Sequence, residues 1–257
     1  PFSQQVLKEY EGKNELEKFS IFGISDFADN SPQQNRIYNF DGYNPLEITR
    51  HAKYVDAMAK NTQLVDLAGI KYIPCEFIAS RIVRFDKQEN VCINDKYFPR
   101  AFFVDSFEIA NNEAIALERI TQVNLRETAI IEGELPTQDL KLSKERGNIN
   151  VIDFHPGYWK LETTTNTPQL LVFVQTNYPG WQATIDGKET PINQTDYLFQ
   201  SIFVPAGTHE AVFVFHSPKL MTGAIITGIT LALLAIFSLM TMIGWLLSRR
   251  FQVFPEL

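Results

Sequence analysis

From Met221 to Leu247 the chain contains no Asp, Glu, Lys, Arg or His. A helix crossing the hydrocarbon of a bilayer needs ~20 mainly apolar residues, and this run is longer than that. A core helix of a soluble protein is usually shorter and keeps a polar face, so residues 218–248 read as a transmembrane helix. The run is C-terminal and therefore not a secretory signal. No second run of that length precedes it, which leads to the expectation of a fragment of a longer protein. Arg249 and Arg250 follow the span directly, whereas Lys219 precedes it. The positive-inside rule then predicts a cytoplasmic tail over 249–257 and an extracytoplasmic bulk, held at the cell membrane by a single pass.

Composition narrows the remainder. A net charge of −7 argues against nucleic acid as a partner, since a basic patch would be expected. An apolar content of 45% is too high for a disordered chain. The residues before the span suffice for one large domain or two small ones. Cys75 and Cys92 flank a predicted hairpin, either as a disulfide in an oxidising compartment or as two buried thiols.

Residues 1–124 mix helix and strand signals. Asn44 as N-cap, Pro45 at N1 and Glu47 at N3 predict a helix running to about Lys60. A shorter helix follows to Ala68, with Gly69 suited to the left-handed position beyond its end. Residues 70–73, 81–85 and 101–104 read as strands. Asn112 opens another helix, with Ala114, Leu117 and Ile120 expected on its buried face. From 125 to 217 short strands alternate with turn signals. Pro156-Gly157 and Pro179-Gly180 suit type II turns, and Asp186-Gly187 suits a two-residue hairpin. Residues 170–174 and 211–215 are continuously apolar, as sandwich strands are, while Trp181, Ala183 and Ile185 alternate with polar neighbours. The expected fold class is α+β: a small mixed α/β region over 1–124, an antiparallel β-sandwich over 125–217, then one C-terminal transmembrane helix.

Catalytic motifs are not found. His51, His155, His209 and His216 show no metal-ligand spacing. No nucleophile elbow, phosphate loop or dinucleotide glycine pattern occurs. A glycosidase carboxylate pair is defined in space and not in sequence. No residue is therefore assigned a catalytic or metal role, and no cofactor is expected in this chain. Tyr158 and Tyr178 border turns and are the candidate ligand-binding residues, as exposed rings on which a sugar could stack. Trp181 is expected in the core by strand alternation.

The run Asn177-Tyr178-Pro179-Gly180-Trp181, then Asp186-Gly187-Lys188, Val204-Pro205-Ala206-Gly207-Thr208-His209 and Ser217-Pro218 before the span, resembles the C-terminal end of YfhO-like bacterial membrane proteins. Gly42-Tyr43-Asn44-Pro45-Leu46, Gly69-Ile70-Lys71-Tyr72 and Pro99-Arg100-Ala101-Phe102 extend the resemblance upstream, so that it covers the chain from about residue 36. Such proteins belong to the GT-C class of polytopic, lipid-phosphosugar-dependent glycosyltransferases. The resemblance implies a parent enzyme whose catalytic acidic residue, usually with a divalent metal, lies among N-terminal spans that this sequence lacks. It implies membrane lipid, a polyprenyl-phosphate sugar and a cell-envelope glycan acceptor as partners. This chain is then expected to be an accessory, itself non-catalytic extracytoplasmic domain. The alternative is a membrane-anchored binding module for cell-envelope glycans or proteins.

Overall fold

Asparagine side chains start two helices by accepting backbone N–H groups that have no partner within the helix. Asn61 Oδ1 accepts from Gln63 N (3.0 Å) at the head of α2 (Thr62–Leu67). Asn112 Oδ1 accepts from Ile115 N (3.0 Å) at the head of α3 (Glu113–Arg119). Before α2 lies α1 (Thr49–Met58), entered from an extended Ile48. Gly69 takes φ +69°, and a Cβ there would stand 3.2 Å from the carbonyl oxygen of Phe98, so both conformation and space require glycine. In α3 the buried residue is Ala116, joined four positions on by buried Ile120 at the helix's C-cap, and Ala114 is exposed. The expected face through Ala114 is thus corrected: so short a helix turns only one narrow stripe toward the core. The computed structural model describes residues 22–23, 40, 48–74, 86–88, 91–134 and 142–251. The helix start expected at Asn44 and the strand expected at 81–85 lie outside them, as does Cys75. Cys92 is buried and disulfide-bonded.

Three sheets form. The smallest joins β1 (Phe22–Gly23), β2 (Ile70–Pro74), β3 (Asp86–Gln88) and β4 (Val91–Ile93) in the order β1-β2-β4-β3. A six-stranded sheet takes β5 (Ala101–Val104), β6 (Ser106–Ala110), β7 (Thr128–Glu132), β10 (Gln169–Phe173), β13 (Asn193–Thr195) and β14 (Phe199–Val204), ordered β5-β10-β14-β13-β7-β6. It draws strands from both sides of residue 125, and α3 connects its one parallel pair, β6 and β7. A five-stranded antiparallel sheet takes β8 (Asn148–His155), β9 (Tyr158–Thr165), β11 (Trp181–Ile185), β12 (Lys188–Thr190) and β15 (Gly207–Phe215), ordered β12-β11-β15-β9-β8.

The two larger sheets face each other. Phe103, Leu171, Phe173 and Ile202 from the first meet Trp159, Leu161, Ala183 and Phe213 from the second in one buried cluster. The opposite face of the six-stranded sheet is also covered. Leu170 and Val172 pack there with Val104, Ala129 and Ile131, and in a separate cluster residues of α1, α2 and α3 pack with Ile130, Val174 and Phe199. Coverage on both faces explains why β10 is apolar at successive positions: side chains alternate between two cores, and each must be dry. The turns obey local chemistry. Asp186 and Gly187 have φ 51° and 76°, joining β11 to β12, and Trp181 N donates to Tyr178 O (3.3 Å) across Pro179-Gly180.

Residues Pro1–Phe215 form one compact unit and His216–Leu257 a second. The second holds α4 (Pro218–Phe251), apolar over Lys219–Ser248. At ~1.5 Å per residue that stretch exceeds the ~30 Å of a bilayer's hydrocarbon. Its Leu, Ile, Phe and Met side chains stand exposed, as those of a helix solvated by lipid do.

Candidate functional site

A cleft of about 490 Å³ opens where the β10–β11 loop meets β11, β12 and β13. Three short pieces of chain build it. The Pro179-Gly180 turn carries Tyr178 to the rim, where it is 48% exposed. Strand β11 then presents Trp181, and the hairpin back through Asp186-Gly187 sets Thr190 opposite Ala183 and Glu189 opposite Thr184. Finally β13 places Gln194 at the floor.

Trp181 plays two parts. It is half-buried and packs against the inter-sheet core, its ring edge-on to Phe173 (6.2 Å between centroids, 83°) and tilted on Phe215 (5.5 Å). It also lines the cleft. Alternation along β11 places it on the face of Ala183, as expected, but at the end of the strand, where the opposite sheet no longer covers the ring completely.

The polar lining is amide-rich. Asn177 Nδ2 donates to Gln194 Oε1 (2.9 Å), and Gln194 Nε2 donates to the carbonyl of Tyr197 (2.7 Å). Gln194 Nε2 also reaches the carbonyl of Phe199 (3.5 Å), so these bonds orient both amides and, among the described residues, leave Asn177 Oδ1 and one Asn177 N–H as free hydrogen-bonding capacity. Gln182 and Glu189 are exposed, and their side chains bond to nothing among the described residues. Glu189 is the single carboxylate of the lining, and no Lys, Arg or His contributes to it. Aromatic walls with neutral amides can bind a polyhydroxyl ligand. The lining does not present the two opposed carboxyl groups that glycoside hydrolysis commonly uses.

Of the residues singled out in the sequence, Tyr178 enters the cleft and Tyr158 does not. Tyr158 stacks on His155 (4.6 Å, 9°) at the head of β9. His51 meets the carbonyl of Phe40 (3.1 Å), His209 meets Asp186, and His216 is exposed. Asn177, Gln182, Glu189, Thr190 and Gln194 were not legible as site residues. Isolated amides on short strands give no pattern, and the hairpin register alone assembles them. Among the described residues no group of three His, Cys, Asp or Glu is placed to hold a metal ion.

A β-sandwich continuing into a long apolar helix defines a membrane protein with a strand-rich domain. Within that class the chain is YfhO-like: residues 113–227 match the family model described as bacterial membrane protein YfhO. The match begins at α3, takes in β7 to β15 with the whole cleft, and ends inside α4. No curated protein and no solved structure matches the chain.

Proposed function

We propose that this chain is the accessory extracytoplasmic domain of a polytopic membrane glycosyltransferase that uses a polyprenyl-phosphate-linked sugar, and that the cleft receives the glycan acceptor. The carrying observation is the cleft itself, with its Trp181 and Tyr178 rings beside an oriented amide pair and without paired carboxylates. The extracytoplasmic placement is supported by Arg249 and Arg250 after the span and by the disulfide at Cys92, since structural disulfides persist in oxidising compartments. The GT-C assignment rests on the YfhO-like match and on the order of motifs from Asn177 to Ser217. Catalysis, and any divalent metal, belongs on this reading to a part of the enzyme outside this sequence. A single helix cannot enclose a cavity for a lipid phosphate, which would be costly to hold in hydrocarbon.

Two measurements test the reading. Chitotetraose or cellotetraose titrated into the full chain in nanodiscs should perturb tryptophan fluorescence saturably, and Tyr178→Ala should weaken the response. Turnover of labelled polyprenyl-phosphate sugar should be absent with this chain and present with the full-length parent. Turnover by this chain alone would overturn the accessory role, and failure of both oligosaccharides to bind would overturn the acceptor cleft.

A further inference from the structure

The loop between β13 and β14 is built against local preference. Asp196 and Tyr197 both take left-handed backbone conformations, φ 47° and 70°, although neither is glycine, and both are fully buried. For a bulky residue such as tyrosine this conformation is an outlier, and it persists only where surrounding contacts over-determine it. The contacts are specific. Arg50, on α1, forms a two-pronged ion pair with Glu132 of β7 (Nη1–Oε1 2.6 Å, Nη2–Oε2 2.8 Å), and its Nη1 also donates to the carbonyl of Tyr197 (2.8 Å). The Tyr197 hydroxyl donates to Glu113 of α3 (2.8 Å), which Lys53 of α1 also holds (2.8 Å).

The carbonyl of Tyr197 is the junction. It accepts from Arg50 on one side and from Gln194 Nε2 on the other, and Gln194 Oε1 in turn accepts from Asn177 Nδ2. The next carbonyl, of Leu198, accepts from Asn177 N (2.8 Å). A continuous line of hydrogen bonds thus runs from Glu132 through Arg50 and the strained turn to the two amides that line the cleft. An Asn-Gly turn would connect the strands with less strain. The observed turn, held by the guanidinium, instead aims a carbonyl at Gln194.

Resting on the reading of the cleft as a binding site, we infer that Arg50 is a positioning residue for it. By fixing the Tyr197 carbonyl, Arg50 dictates which way the Gln194 and Asn177 amides face, and hence that the cleft offers Asn177 Oδ1 as an acceptor for a ligand hydroxyl or N–H. Arg50 is not among the residues lining the cleft, so it acts on a ligand through other residues and not by direct contact.

The test follows the side-chain amide signals of Asn177 and Gln194 by ¹⁵N NMR of the full chain in nanodiscs, with chitotetraose and cellotetraose affinity measured alongside. Arg50→Ala should displace or double both amide signals and weaken oligosaccharide binding about tenfold, as expected for the loss of one ordinary hydrogen bond. Arg50→Lys keeps a cationic donor without the planar fork and should fall between the two. Ile120→Val, which loosens the helix-packed core away from the cleft, should lower thermal stability yet leave amide signals and affinity unchanged. Parental amide signals in folded Arg50→Ala or Arg50→Lys protein would overturn the inference, as would an equal change in Ile120→Val. A parent that binds neither oligosaccharide, with amides that still respond to Arg50, would refute the glycan reading and sustain the positioning role.

Discussion

Asp196 offers the sharpest quantitative test of the fold. Its side chain is fully buried; Oδ1 accepts from Ile130 N (2.7 Å), while Oδ2 has no partner among the described residues. Burial raises its pKa from an ordinary value near 4 to about 7, only partly opposed by the Ile130 N–H. The folded chain therefore keeps this proton up to about pH 7, whereas the unfolded chain releases it near pH 4. Between those limits the folded state binds more protons, so stability falls as pH rises through the window. A gap of about three in pKa corresponds to about 4 kcal/mol, a large share of the ~5–15 kcal/mol by which domains are stable. Asp196→Asn keeps an acceptor for Ile130 N–H and tolerates the left-handed backbone. Its Nδ2 replaces a protonated oxygen that was equally unpartnered. Urea unfolding of parent and variant should thus give similar stabilities near pH 4, with the variant gaining up to about 4 kcal/mol above pH 7. Other titrating groups are common to both proteins and cancel in the difference. A difference that stays constant from about pH 4 to pH 8 would refute the argument, because the buried carboxyl would then not be the group that titrates.

Trp181→Ala should cost about 2–3 kcal/mol, below the ~3–5 kcal/mol of a fully buried large aromatic, and should also weaken oligosaccharide binding; unchanged melting would mean that the ring does not support the core. Both ring nitrogens of His209 face acceptors, Asp186 Oδ2 at 2.6 Å and the Ala206 carbonyl at 3.0 Å, which only the imidazolium satisfies. Asp186 first and Ala206 second raise its pKa, so its contribution is complete below the unfolded value near 6.5 and is lost as pH rises through the folded one. An NMR titration giving His209 a midpoint at or below 6.5 would refute this. Lys188→Cys, beside the exposed Asp186-Gly187 turn, should be labelled in intact cells by a membrane-impermeant thiol reagent, and labelling only after lysis would reverse the proposed orientation.

What the sequence determined by itself was local. Charge-free length specified α4, because a bilayer demands an uninterrupted apolar stretch whatever precedes it. Gly69, Gly187 and the caps Asn61 and Asn112 act within a few residues of themselves, and they stand where their conformational preferences put them. The continuous apolar run of β10 announced burial on both faces. The tertiary structure decided the rest, through contacts between residues far apart in the chain. It drew β5 and β6 into a sheet with β10 and β14, and turned Ala116 inward while Ala114 remained outside. It also brought Asn177, Glu189 and Gln194 to one cleft. No local preference foretells a left-handed Tyr197 directly after a left-handed Asp196, since a bulky residue's own propensity opposes that conformation. They are held by Arg50, whose Tyr197 contact spans 147 positions in sequence, and a turn stabilised from that distance is visible only once α1, β7 and β14 have packed.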